Sequence, residues 1–517
     1  MRSRNVVTVL SLLLCAALPG CKVTTEDIDY WMGTQKGPGK IVAVLLADKY
    51  EDELRVYAGL ALVRMEPRPP STTSEPIDGV TELQAAVRRL PEETRRRIVD
   101  LMIPDLVNMM RGEDTPQATE GDAVGLLQIR AKDAAFLILP YASEAQGAQL
   151  RDEIVDWFAR DFNGRNLAGN FSAEQVVRQL GAPAASRLVN AMNAQLPQQA
   201  LVKVAELIST LGSSATKEAA GQRLVDIERE MESAEFTSSL VERLRQQIRR
   251  ERGEDVEINQ DALTRAAIEN RENFITLGAL PAMRHLNDQR VVQDRLLELA
   301  QTAQVEGLLP PRVEERRVKA LQAMEGGVRR EQVDALLDLA LAEASPLAVR
   351  DYAFDRVADS RSTAAIPRLW PVFRETSDWR VRWRVGSLIL TLGGNDVVQE
   401  FFGALPPAEY AREELHGYGE RLASMRPPPA DFVLGQLTSS DWHKRCIALY
   451  YLERRAQEPD IARITALEGD AAETRGRNWE DQTTVGRLAA AVARAVRERL
   501  GQGTQANDES GSSGEGE

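Results

Sequence analysis

What constrains this chain most is an arginine that recurs with the same two apolar followers. Arg55 is followed by Ala58 and Leu62, Arg317 by Ala320 and Met324, Arg350 by Ala353 and Val357, Arg382 by Val385 and Ile389, and Arg445 by Ala448 and Leu452. On a helix, positions three and seven residues beyond the arginine share its face, so each arginine should open a helix beside a buried stripe. Arg317 to Arg350 is 33 residues, Arg350 to Arg382 is 32, and Arg382 to Arg445 is 63, which is two such steps. Arg412 stands near the skipped position with the poorer followers Leu415 and Gly419. A period of this size marks a stacked helix-pair architecture, in which each pair lacks enough apolar surface to fold alone and shares a core with its neighbours.

Two further markers keep the same phase. Ser377-Asp378-Trp379 and Ser440-Asp441-Trp442 lie 63 residues apart, each just before the recurring arginine. A Ser or Asp there can cap the helix that follows. Leu-Gly pairs at Leu180-Gly181, Leu211-Gly212, Leu277-Gly278 and Leu392-Gly393 are expected to end helices, glycine supplying a left-handed cap. Strand signals are nearly absent, and Ile41 to Leu46 followed by Leu54 to Met65 reads as two short helices joined by a polar turn.

Paired helices of this length, with Asp in the turn and Arg opening the second helix, resemble HEAT repeats. Asp378/Arg382 and Asp441/Arg445 carry the resemblance best, with Ser345 and Glu314 standing before Arg350 and Arg317. It is clear over about 310–460, fair over 40–66 and 172–300, and poor over 80–170. In that family such Asp and Arg side chains stack as a ladder between neighbouring units. Tetratricopeptide-like pairs are the competing architecture, but their Trp-Leu-Gly-Tyr consensus does not recur. The expected fold is therefore all-α, a superhelix or solenoid of HEAT-like helix pairs that is irregular in the middle.

The amino terminus carries a different message. Arg2 and Arg4 precede an apolar stretch from Val6 to Leu18, too short to span a bilayer comfortably and typical of a secretory signal. Leu18-Pro19-Gly20-Cys21 resembles the lipobox of bacterial lipoproteins. The resemblance implies removal of residues 1–20, diacylglycerol on Cys21 and an acylated, palmitate-type amino terminus. Lys22 follows the cysteine where that family's inner-membrane retention signal carries Asp, which implies an outer-membrane anchor facing the periplasm. Cys15 leaves with the signal, so Cys446 is expected to be a lone buried thiol rather than half of a disulfide.

The expected organisation is then a signal at 1–20, a lipid-anchored tether at 21–39, and degenerate repeats over 40–302 with loops near 67–79 and 111–121. More regular repeats follow over 303–500, with a disordered acidic Gly/Ser tail at 501–517. Glu242 to Glu257, dense in charge, reads as a solvated helix face, and Pro427-Pro428-Pro429 as a rigid connector.

Signs of chemistry are few. Gly33 to Lys40 mimics a phosphate loop, but Thr34 and Ile41 stand where Gly and Ser or Thr are needed, and no strand precedes it. His443 and Cys446 offer two ligands at helical spacing, short of a structural metal site, with His285 and His416 remote in sequence. No GxSxG elbow occurs. No cofactor, metal or catalytic residue is expected, and the net charge of −14 argues against nucleic acid.

Aromatics cluster at Trp370, Phe373, Trp379, Trp383, Phe401 and Phe402 in a chain otherwise poor in rings. Trp370, Trp379 and Trp383 read either as binding anchors or as packing between repeats. The expectation for function is a lipid-anchored envelope scaffold or adaptor that takes a protein or peptide in a helical-repeat groove. The acidic body favours a basic partner. The alternative is an accessory to, or an enzyme acting on, envelope polymers, which would need a groove with two carboxylates of shifted pKa.

Overall fold

A computed structural model describes residues 22–67, 78–113 and 125–511, with side chains as far as 501. The signal, Cys21, and most of the two expected loops, at 68–77 and 114–124, lie outside the described residues, as do residues 512–517. The described chain is all-helical, its only β feature being an isolated bridge between Glu473 and Thr484. It divides into two compact units, with the division along the chain between Val292 and Gln293.

The first unit runs through α1 (Thr25–Met32), α2 (Gly37–Leu46), α3 (Asp52–Arg64), α4 (Gly79–Arg89), α5 (Glu92–Arg111), α6 (Leu126–Ile138) and α7 (Glu144–Arg160). It continues with α8 (Phe162–Arg165), α9 (Ala173–Leu180), α10 (Ala182–Leu188), α11 (Gln198–Leu211), α12 (Ser214–Glu232), α13 (Ala234–Arg252), α14 (Gln260–Phe274) and α15 (Leu280–Arg284). Helix α16 (Arg290–Gln301) crosses the division. The second unit holds α17 (Pro310–Ala323), α18 (Val333–Leu341), α19 (Leu347–Asp359), α20 (Ile366–Glu375), α21 (Trp379–Gly393), α22 (Val398–Ala404), α23 (Arg412–Ser424), α24 (Ala430–Gly435), α25 (Trp442–Arg455), α26 (Asp460–Thr465) and α27 (Val485–Gly511).

In both units neighbouring helices pack as pairs, a solenoid-like arrangement. In the second unit α19, α21, α23, α25 and α27 each lie against the next, forming a continuous layer, while α18 and α20 back α19 and α21. The arginine pattern explains this packing. Ala58, Leu62, Ala320, Met324, Ala353, Val357, Val385, Ile389, Ala448 and Leu452 are all exposed by 1% or less. Such stripes supply about 1.5–3 kcal/mol for each large apolar side chain removed from water.

The arginines themselves are drawn inward. Arg55 donates to the Leu45 carbonyl at 3.0 Å, Arg350 to that of Ala340 at 3.0 Å, and Arg317 to that of Ala300 at 2.8 Å. Each thus satisfies a carbonyl at the end of an earlier helix, where the helix has no amide left to offer. The Asp–Arg ladder implied by the resemblance takes another form. Asp378 caps α21 through the Arg380 amide at 2.9 Å, Asp441 pairs with Lys444 at 2.6 Å, and Arg445 reaches Asp470 at 2.8 Å. Ser345 accepts from Arg317 at 3.4 Å.

Several expectations are corrected. The stretch at 21–39 contains α1 and the start of α2. Thr24 and Asp27 form a reciprocal capping box, and Ile28 is fully buried against the following helices. Of the Leu-Gly pairs, only Gly181 ends its helix with a positive φ, 71°. Gly212 caps with an ordinary φ of −70°, and at 393–394 the left-handed residue is Gly394. Gly278 lies inside a π-turn, Ile275–Ala279, because Pro281 has no amide for the Leu277 carbonyl and the register widens. A Cβ at Gly278 would meet Gln198 at 3.2 Å, so close helix approach explains this glycine. The charge run ends its helix at Gly253, and α13 buries only Phe236 and Leu240, as a solvated helix should. Backbone helix α27 continues into the expected tail as far as Gly511.

Candidate partner groove

The layer formed by α19, α21 and α23 carries a continuous groove. One cavity of about 320 Å³ opens between α19 and α21 and is lined by Leu347, Phe354, Trp379, Trp383 and Arg384, among others. A second, about 430 Å³, lies between α21 and α23 and shares Phe354, Trp383 and Arg384 with the first. A third recess, also about 430 Å³, shares Thr391, Arg421 and Ser424 with the second and extends to Pro427.

Helix periodicity places these side chains. On α21, Arg382, Val385 and Ile389 turn into the core, which leaves Trp379 and Trp383, one turn apart, half-buried on the groove side. Leu347, on the first turn of α19, is 57% exposed beside them. Trp383 can lie flat against α23 only because residue 417 is glycine; a Cβ there would stand 2.4 Å from the indole nitrogen.

The rim is held by ion pairs between neighbouring helices. Arg384 reaches Asp351 at 3.0 Å and Asp355 at 3.3 Å, and its guanidinium lies 5.6 Å from the centre of the Trp383 ring. The same device, one arginine spanning two aspartates four apart on an earlier helix, appears at Arg368 with Asp334 and Asp338 and at Arg187 with Asp152 and Asp156. At this exposure each pair contributes about 0–1 kcal/mol, so its main effect is to fix where the guanidinium sits. Nothing singled these clamps out in the sequence; aspartates at i and i+4 followed some 30 residues later by arginine are the signal that could have found them.

The three tryptophans singled out in the sequence divide. Trp379 and Trp383 meet in the groove. Trp370 does not: it is 7% exposed on α20 and packs edge-on to Phe373 at 6.0 Å. Phe373 stacks on Phe401 at 5.2 Å, and both meet Tyr418, so this part of the aromatic cluster is core. A tryptophan at one helical face and another at the opposite face look alike in a list of aromatics; the helix phase separates them.

The titratable groups considered for chemistry are dispersed. His443 is buried, stacked on Tyr410 at 4.9 Å, and burial pushes its pKa down to about 4. Burial pushes the Cys446 thiol well up, and that free cysteine is fully enclosed. His416 contacts Glu420 and Glu453 at 3.6 and 3.7 Å near the surface. Residues 33–36 form the turn into α2, and 37–40 are its first turn. Among the described residues no group of three or more His, Cys, Asp or Glu side chains is placed to hold a metal ion, and no helix is long and apolar enough to cross a membrane. No protein-family model matches this chain, and no curated protein matches its sequence.

Proposed function

We propose that this chain is a lipid-anchored envelope protein whose HEAT-like repeats hold an extended segment of a protein partner in the groove over α19, α21 and α23. The observation that carries the reading is the row Leu347, Trp379 and Trp383, left on one open groove by helices whose Val349, Phe354, Val357, Val385, Leu388 and Ile389 are buried. Half-buried aromatic anchors lining a groove are what polypeptide recognition uses most. The lipobox at Leu18 to Cys21 and Lys22 after it support an outer-membrane anchor, and two or three acyl chains at about 0.8 kcal/mol per buried methylene hold such a body firmly.

Two experiments test the two halves separately. Cys21→Ser should release the chain into the soluble fraction, and continued membrane association of that variant would remove the anchor. Site-specific photocrosslinking from position 387, which lines the groove on α21, should give a defined adduct that Trp379→Ala with Trp383→Ala abolishes while helicity is unchanged. An adduct unaffected by the double variant would remove the groove as the binding surface.

A further inference from the structure

One half-buried arginine in the groove makes a single side-chain hydrogen bond, to a hydroxyl. Arg421, on α23, lines both the cavity beside Trp383 and the recess that runs to Pro427. Of the other arginines that line the groove, Arg384 is committed to its two aspartates, Arg350 to the Ala340 carbonyl, and Arg380 lies over the Trp379 ring at 5.1 Å, while Arg426, at the end of the recess, is exposed to solvent. Arg421 is half-buried and bonds only the Thr391 hydroxyl; among the described residues no carboxylate pairs with it. Its neighbour Glu420 is taken by Arg454 and His416. A guanidinium has five N–H donors, and one hydroxyl leaves most of them unused. Burial lowers its pKa with no opposing carboxylate, the signature of a cation desolvated without a counter-charge.

We infer that Arg421 receives a carboxylate side chain, Asp or Glu, of the bound polypeptide, while a neighbouring apolar side chain of that segment lies against Trp383, Trp379 and Leu347. This rests on the peptide-groove reading above and names the chemistry of its occupant. A planar carboxylate matches the guanidinium fork through two parallel hydrogen bonds. A doubly charged phosphate fits less well, because Asp355 and Glu420 line the same cavity. The net charge of −14 belongs to the whole chain, whereas the groove lining has as many arginines as carboxylates. Local contact therefore selects for an acid where the long-range field alone would favour a base.

The test uses the full chain purified in detergent and a panel of fluorescein-labelled octapeptides. Each peptide carries one Leu or Trp and, one to five positions away, either Glu or Gln. The expected result is at least one spacing at which the Glu peptide binds fivefold or more tightly than its Gln twin. Arg421→Gln should erase that preference, Arg421→Lys should keep part of it, and Trp383→Ala should weaken both twins equally. A Glu preference that survives Arg421→Gln overturns the inference, and so does equal binding of all twins. Equal binding that still depends on Trp383 leaves the peptide groove standing. No binding anywhere in the panel removes both. Arg421→Lys keeps the charge and supplies a readout should the Gln variant fold poorly.

Discussion

Arg382 of α21 grips Glu414 of α23 through two hydrogen bonds, 2.6 and 2.8 Å long, with both side chains sealed from solvent. Around the pair, Tyr418 donates to the Arg382 carbonyl at 2.9 Å and to Glu414 at 3.1 Å, and the guanidinium lies 4.5 Å from the centre of the Tyr410 ring. The same arginine reaches the Glu409 carbonyl at 2.9 Å. The network ties the helix that carries Trp379 and Trp383 to the next one in the layer.

Glu414→Gln should therefore destabilise the second unit by about 3–5 kcal/mol, because it strands a buried guanidinium. Replacing both partners, Arg382→Met with Glu414→Met, should recover much of that loss. Denaturant unfolding of the single and double variants checks it, and equal losses in both would show that the apolar packing rather than the charge pair is at stake.

Acid should weaken the second unit through His443. Its folded pKa of about 4 lies below the ordinary 6.5, so the unfolded chain takes up the proton first as pH falls. Stability from keeping the ring neutral is fully present above pH 6.5, declines below it, and is gone near pH 4. The gap corresponds to about 3 kcal/mol. His443→Phe preserves the stack on Tyr410 and should flatten the pH profile of thermal unfolding over that window; an unchanged slope would assign the acid sensitivity elsewhere.

Lys132 should matter as much to the first unit. Its ammonium is fully buried, bonds the Ala168 and Phe171 carbonyls at 2.9 and 2.7 Å, and pairs with Asp133 at 2.6 Å. Burial lowers its pKa despite that partner. Lys132→Met leaves Asp133 buried and the two carbonyls unbonded, for a loss of about 3–5 kcal/mol. Amide exchange should speed up first at 166–172, the segment the ammonium pins; exchange unchanged there would contradict the clamp.

Gly417→Ala alters the groove through one ring of its apolar wall, leaving that ring's own chemistry unchanged. The added methyl must push the Trp383 indole off α23, at a cost of roughly 1–3 kcal/mol. Tryptophan emission should shift to the red as the ring moves toward water, and crosslinking from position 387 should fall. Unchanged emission would mean that α23 yields instead.

The helix pairs were legible in the sequence because their evidence is local. Three- and seven-residue spacing from each arginine decides a helix face with no knowledge of the rest of the chain, and the ten positions it marks are core. The capping Asp378 was legible for the same reason. Gly181 and Gly212 end their helices as read, but Gly278 was not legible: whether it ends a helix or admits Gln198 depends on a helix some 80 residues earlier in the chain. Trp370 could not be separated from Trp379 and Trp383 by composition, since only the packing of α20 against α21 sends one inward and leaves two outward.

The segment that returns from α26 illustrates what pattern reading misses. The Arg475 carbonyl accepts from the Tyr410 amide at 2.9 Å, that of Arg477 from Arg412 at 3.1 Å, and Trp479 donates its indole N–H to the Tyr410 carbonyl at 2.8 Å. Gly476, at φ 133°, passes so close that a Cβ would stand 2.2 Å from the Tyr410 oxygen. No periodicity announces such a wrap.

By itself, then, the sequence determined that this chain forms paired helices and which apolar face of each is buried, because a period of 3.6 residues is written into the neighbours of every position. Only the tertiary structure decided the partner of each charge: 64 basic and 78 acidic side chains allow far more pairings than form. Arg382 finds Glu414 while Arg421 finds no acid among the described residues, because ion pairing depends on distance through space, which helix stacking sets and sequence spacing does not.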